Sequence, residues 1–248
     1  MTMNAPFLMP PRDFNASGRR PGLIGRSLVR KAMQPAEVAR VERLSGPFVI
    51  VDLCGAAVRA TRWSAGQRAS LIFDQSLAGR TYTPFGWDRE GERVRFMFHV
   101  HGKGVASEWA WQVGKGDACG LVGPAASIET PRAGTGDMLF GDETSIATAL
   151  SGGLDRTQGR QCVFEATDVS MLRQALSEVG LQQAQVIARR PDLSHLDEVR
   201  SALASVGDSS NLTLTGNARS IQRLHQLRGP SFAVRTKAYW SPGKSGLT

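Results

Sequence analysis

The sequence predicts a two-part fold: an N-terminal antiparallel β-barrel, then a small α/β domain with a mostly parallel sheet. Three observations predict it. Residues 36–124 break into short apolar runs separated by Gly-containing turns, the pattern of a small closed barrel. Residues 124–136 are small and rich in Gly and Pro, which suits a boundary. From Asp137 onward, strand-like and helix-like segments alternate with short links, as in a parallel sheet covered by helices. The 248 residues divide into a leader at 1–28, a barrel at 29–130 and an α/β domain at 131–248.

The elements follow in order. Val38–Leu44 alternates imperfectly, and Gly46-Pro47 punctuates the start of a strand core at Phe48–Leu53. Ala69–Phe73 is short and apolar. Arg80–Thr83 carries Tyr82 and two threonines. Arg93–Val100 alternates charged and apolar side chains over its first half, and the turn at Asp88–Gly91 before it predicts a hairpin with the Arg80 strand. Gly104–Gln112 reads as one helix packing through Ala106, Trp109 and Ala110. Leu121–Pro124 closes the barrel region. The second half predicts strands at Asp137–Gly141, Gln161–Ala166, Gln185–Ala188, Asn211–Gly216 and Ser231–Arg235. Helices are expected at Glu143–Leu150, from an Asp168 or Ser170 cap through Val179, at Ser194–Ser201 and at Ala218–Leu227.

Charge narrows the function classes. The net charge is +8, which by itself suggests a nucleic-acid binder. Its distribution argues otherwise. Arg12, Arg19, Arg20, Arg26, Arg30, Lys31 and Arg40 face only Asp13 and Glu37, so residues 1–40 carry +5 and the remaining 208 only +3. An anionic small ligand needs no more than a local positive site. Cys54, Cys119 and Cys162 are too far apart for a zinc or iron–sulfur spacing, and read as small buried hydrophobes in a reducing compartment. No apolar run reaches membrane-span length, and the Pro-, Gly- and Arg-rich residues 1–28 read as a flexible leader without a signal core. A cytoplasmic monomer that binds neither nucleic acid nor membrane is expected.

Two stretches could carry chemistry. On a strand, Arg80 and Tyr82 point to one side, and Thr81 and Thr83 to the other. A planar, partly anionic ligand could use an aromatic wall, a cationic fork and hydroxyl donors. The second stretch is His101-Gly102-Lys103-Gly104-Val105-Ala106-Ser107, which leads into the Trp109 helix. Its small residues let a diphosphate approach the backbone, and free N–H groups at a helix start can hold it. An ordinary surface strand and a plain turn remain the alternatives for each stretch alone.

Together and in this order, the two stretches resemble the siderophore-interacting protein family, within the ferredoxin-reductase-like flavoproteins. The resemblance spans roughly residues 30–243. It also rests on Phe98–Gly102, Trp109-Ala110, Gly120–Pro124, Gly141–Thr144 and Tyr239-Trp240 with Gly243. It implies FAD as cofactor. Arg80 would neutralise the diphosphate, Tyr82 would stack on the isoalloxazine, and Thr83 would hydrogen-bond near its N5 edge, with Thr81 in the same strand. The segment from His101 through Lys103, Val105, Ala106 and Ser107 would hold the diphosphate. Asp142, Glu143 and Thr144 would open the nicotinamide-nucleotide domain, and Tyr239 and Trp240 would lie near the flavin and the domain seam. Lys237, with Lys103, would receive an anionic ferric siderophore.

The resemblance implies an NAD(P)H-dependent ferric-siderophore reductase that releases iron as Fe(II). The flavin performs the redox conversion, so no catalytic protein residue is expected. Two departures stand out. Phe85 replaces a family arginine, so that either one diphosphate contact is lost or Lys103 or Arg62 replaces it. Asn217 replaces a family glutamate but suits a helix cap. These departures keep open a flavoprotein reduced by ferredoxin or serving another acceptor, and the +8 charge keeps open a non-enzymatic basic module for an anionic ligand or nucleic acid. His99 and His101 share a strand face without a third metal ligand nearby. His195 and His225 read as surface helix residues, Trp63, Trp87 and Trp111 as packing residues, and Arg219, Arg223 and Arg228 as a solvated face that a 2′-phosphate or an anionic siderophore could use. No nucleophile elbow, HExxH or Walker sequence is present.

Overall fold

A computed structural model describes residues 29–74, 77–102, 104–128, 137–151, 160–204, 211–226 and 233–243. The predicted leader, Lys103, most of Ser151–Arg160, Leu227 and Arg228, and the start of the last predicted strand at Ser231 lie outside them.

The first half forms seven antiparallel strands: β1 (Gln34–Arg43), β2 (Phe48–Cys54), β3 (Arg68–Ile72), β4 (Gly79–Tyr82), β5 (Gly86–Asp88), β6 (Arg93–His99) and β7 (Ala118–Ala125). Their order is β4-β3-β7-β1-β2-β6-β5. The sheet is barrel-like but open, because β4 and β5 remain its two edges. A closed barrel was expected. The three-residue link between them holds Pro84, which has no N–H to give to a ladder. The expected hairpin with the Arg80 strand is also corrected. The turn at Asp88–Gly91 joins β5 to β6, with Asp88 opposite Arg93. The strand running into that turn is β5, and β4 pairs with β3 instead.

Strand β2 is buried at six of seven positions. Its apolar run is continuous because both faces are covered. Val49, Val51 and Leu53 enter the barrel core with Val94, Phe96 and Phe98 of β6. Phe48 and Ile50 point the other way, into a second core with the α/β half. Besides a helical turn at residues 29–32, the described residues of this half include α1 (Ala56–Ala60) and α2 (Val105–Gln112). Trp109 of α2 plugs the barrel, its ring tilted against those of Phe73 and Phe98 at 4.9 and 5.4 Å between ring centres. Trp111 was expected to pack, yet it is 59% exposed. Trp109 and Ala110 take the inward face of α2, which turns Trp111 to solvent.

The second half is a five-stranded parallel sheet of β8 (Asp137–Gly141), β9 (Arg160–Ala166), β10 (Gln185–Ala188), β11 (Asn211–Asn217) and β12 (Ala233–Trp240). Its order is β10-β9-β8-β11-β12, so the direction of winding reverses between β8 and β11. Helices α3 (Ile146–Leu150) and α4 (Val169–Glu178) cover one face, and α5 (Leu196–Ala204) and α6 (Ala218–Gln226) the other. Asp168 caps α4 by accepting from the Met171 N–H at 2.9 Å, as the sequence suggested. Asn217 caps α6 by accepting from the Arg219 N–H at 3.1 Å. The last strand runs to Trp240, five residues beyond its predicted end. At the seam between the halves, Asp52 of β2 and Arg95 of β6 form a two-pronged ion pair at 2.7 and 2.9 Å.

Candidate functional site

Strand β4 places Arg80 and Tyr82 opposite Leu71 and Ala69, on the inward side of the barrel sheet. Thr81 faces outward, with its hydroxyl 3.0 Å from that of Ser70. The Tyr82 ring packs on Phe98 at 4.5 Å between centres, and Phe98 packs on Trp109 of α2. The two predicted segments therefore converge. Aromatic rings fill the interior between them, so a ligand has only the outer rim, across the half-buried Tyr82. Burial raises the Tyr82 phenol well above its ordinary value, against the pull of Arg80. Arg80 donates to the Gly79 carbonyl at 2.8 Å and pairs with no carboxylate among the described residues. Arg62 is exposed.

On that rim, α2 begins at Gly104 without a side-chain cap. A Cβ at Gly102 or Gly104 would meet nothing within 4 Å, so the backbone there is open to an approaching group. Val105 is buried in the barrel core and contributes only its backbone. The Ser107 hydroxyl accepts from the His101 N–H at 3.3 Å, and Ala106 is half-buried. An uncapped helix start with open glycines, beside an arginine without a carboxylate partner, fits a diphosphate.

Strand β4 ends at Tyr82, one residue short of its expected end, so Thr83 does not share the outward face of Thr81 and the chain turns toward the second half. Thr83 is buried, and its hydroxyl lies 3.5 Å from that of Tyr239, which is 2.5 Å from the Thr148 hydroxyl of α3. Tyr239 thus bridges barrel and α/β halves, and burial raises its phenol pKa. Trp240 donates from Nε1 to Asp142 Oδ2 at 2.6 Å. Asp142 also accepts from the Thr144 N–H at 2.9 Å and the Thr144 hydroxyl at 2.5 Å. It is fully buried, and burial pushes its carboxyl up to about 6. Gly216 of β11 makes room for it: its φ is +95°, and a Cβ there would sit 2.4 Å from Asp142 Oδ2. Lys237 shares the Tyr239 face of β12, two residues before it, opposite Thr215.

Between the halves lies a cleft of about 590 Å³, lined by Phe48, His99 and His101 from the barrel side and by Glu143, Thr144, Thr167, Asp168, Arg189 and Trp240 from the carboxyl ends of β8, β9, β10 and β12. His99 stacks on Phe48 at 5.1 Å and stands 5.4 Å from His101, ring centre to ring centre. Burial lowers His99 to about 4, outweighing the opposite pull of Glu143, so its ring is neutral at pH 7. Among the described residues, no group of three or more His, Cys, Asp or Glu side chains is placed to hold a metal ion.

Arg189 is the cleft residue that the sequence analysis missed. Its guanidinium binds Glu143, lies 3.3 Å from Glu165 Oε1, and sits over the Trp240 ring at 5.6 Å. Burial opposes its charge, but the carboxylates of Glu143, Glu165 and Asp142 together outweigh that and raise its pKa. Behind it, Glu165 is completely buried and accepts from His195 Nε2 at 2.6 Å and from the Ser220 hydroxyl at 2.9 Å. The Arg190 N–H donates to His195 Nδ1 at 3.2 Å, which leaves Nε2 to carry the proton toward Glu165. His195 was expected at the surface; it is 0% exposed because both ring nitrogens are used inside. The position of Arg189, directly after β10, was the available signal, since open α/β sheets bind ligands at the carboxyl ends of their strands.

Residues 67–128 match the family model described as the siderophore-interacting FAD-binding domain. No curated protein matches the chain. Among solved structures, a siderophore utilization protein from T. fusca superposes with a TM-score of 0.69 at 22% identity, covering 87% of this chain and 95% of that one. The siderophore-interacting protein SipS from Aeromonas hydrophila gives 0.63 at 17%, covering 86% and 93%. A ferredoxin-NADP+ reductase from Plasmodium falciparum gives 0.64 at 12%, covering 84% and 97%. The fold is therefore that of the siderophore-interacting and ferredoxin-reductase-like flavoproteins.

Proposed function

We propose that this chain is a flavin-dependent reductase that takes electrons from a nicotinamide dinucleotide and delivers them to Fe(III) held by a siderophore. One observation carries the reading. The segment that matches the FAD-binding domain model holds both the Arg80–Thr83 strand and the Gly102–Ser107 helix start, and the fold brings the two to one rim. FAD bound there would supply the exchange between two-electron donors and one-electron acceptors.

The chain's own residues have separable tasks in this reading. Arg80 and the uncapped start of α2 neutralise and hold the diphosphate. Tyr82 offers the exposed part of its ring as a wall. Tyr239 ties Thr83 to Thr148 and so fixes the α/β half against the rim. Phe48, His99 and Trp240 give the cleft flat, uncharged surfaces suited to a nicotinamide ring. Lys237 supplies positive charge for an anionic iron chelate, with Lys103 as its proposed companion. Reduction matters because hard oxygen donors hold Fe(III) more strongly than Fe(II).

The reading is tested with purified, FAD-reconstituted protein and ferric siderophores, trapping Fe(II) with ferrozine. Fe(II) should form with NADH or NADPH. A protein that binds no FAD would end the flavin reading; one that binds FAD but yields no Fe(II) would end the siderophore assignment alone. Reduction by ferredoxin is the second reading, favoured by Phe85, which lies at the domain seam under Arg95 in place of a family arginine. Stopped-flow reduction with ferredoxin against both nicotinamide donors separates the two.

A further inference from the structure

The carboxyl end of β10 brings Arg189 into the inter-domain cleft and Arg190 beside it, outside the lining; Arg189 is held in a buried pair, Arg190 in an exposed one. Arg189 is held by Glu143 and Glu165. Arg190 pairs with Glu198 at 2.6 Å. A further carboxylate, Asp168, lines the cleft at the end of β9 and forms no ion pair among the described residues; it accepts from Met171 N–H and the Ser170 hydroxyl. Arg219, the exposed cation that follows β11, does not line the cleft. Among the described lining residues, the carboxylates of Glu143 and Asp168 therefore outnumber the one cation, Arg189.

We propose that this cleft selects its dinucleotide by charge, accepting one whose adenosine ribose has a free 2′-hydroxyl and rejecting the 2′-phosphorylated form. The inference rests on reading the cleft as the nicotinamide-nucleotide site. A hydroxyl can donate to a carboxylate at the end of a parallel strand, as carboxylates do toward ribose in other α/β sheets. A 2′-phosphate has the opposite demand. It is an acceptor with close to two negative charges and needs a free arginine. Here it would meet Asp168 or Glu143, and gaining Arg189 would mean breaking a buried pair and stranding Glu143 and the fully buried Glu165. The cost falls on the phosphorylated ligand alone, so it appears as specificity.

The experiment is calorimetric titration of the full-length, FAD-loaded protein with NAD+ and with NADP+ at low ionic strength, where screening is weak. NAD+ should bind at least tenfold more tightly. The double variant Glu143→Gln/Asp168→Ser removes two carboxylates while keeping a side-chain oxygen to cap α4, and should narrow that ratio to below threefold. Should the variant fold poorly, the wild-type ratio decides. Equal or tighter NADP+ binding by the wild-type protein overturns the inference. So does a ratio that the variant leaves unchanged. Binding of neither nucleotide overturns it as well, but with an intact flavin spectrum that result leaves the FAD reading standing.

Discussion

Replacing Arg189 with Met tests the buried charge network directly. The change keeps most of the side-chain length and removes the cation between two carboxylates. Glu165 is 0% exposed and the Arg189 side chain only 16%, so little water can take the place of the lost charge. Breaking a buried ion pair by removing one partner costs about 3–5 kcal/mol. Glu165 keeps two donors, His195 and Ser220, so we expect the lower end, about 3 kcal/mol. At this chain length that corresponds to a Tm fall of roughly 6–12 °C. The internal control is Arg190→Met. Its pair with Glu198 is 47% and 53% exposed, and exposed pairs contribute about 0–1 kcal/mol. Urea and thermal unfolding of the two variants, followed by circular dichroism, provide the comparison. Adding Glu165→Gln to Arg189→Met should recover part of the loss, because it removes the uncompensated charge. If Arg189→Met loses no more stability than Arg190→Met, the network does not hold the α/β half together in the way described.

Other expectations follow from the same geometry. The Asp142 carboxyl is raised from 3.8 to about 6 by burial, so its ionisation opposes folding. The stability associated with its protonated form is complete below pH 4 and is lost as pH rises through 6, a change of about 3 kcal/mol. Asp142→Asn should therefore gain on the wild type between pH 4 and 7.5 in urea midpoints, and parallel pH profiles would refute this. Gly216→Ala places a Cβ 2.4 Å from Asp142 Oδ2 at φ +95°, and should cost about 2 kcal/mol or more in chemical unfolding. Arg80→Ala should weaken FAD binding about tenfold, read by flavin fluorescence on titration. Stability should change by only ~0.5 kcal/mol, because the side chain's hydrogen bond goes to the neighbouring Gly79 carbonyl; unchanged FAD affinity would mean the diphosphate lies elsewhere.

What was legible in the sequence was local. Phe48–Leu53 read as a strand through its β-branched and aromatic start, and Asp137–Gly141 and Gln161–Ala166 as short apolar runs bounded by polar or glycine residues. Asp168 read as a cap because the hydrogen bond it makes reaches only three residues ahead. The order of the Arg80 strand, the glycine-bordered helix start and the Gly141–Thr144 turn was enough to name a fold of two halves.

Which partners those segments take was decided only in three dimensions. The five apolar residues Phe48, Val49, Ile50, Val51 and Leu53 of β2 look alike in sequence, yet alternate ones enter two different cores. Strand β4 chose β3 over β6 because the segment next to the turn, β5, already occupied that edge. His195 and Ser220 meet Glu165 from 30 and 55 residues away, and no periodicity encodes such a meeting. A charged side chain becomes a site or a strut according to what lies opposite it. Arg80 and Arg189 are both arginines at the end or edge of a strand; only the folded chain leaves one without a carboxylate partner among the described residues and gives the other two.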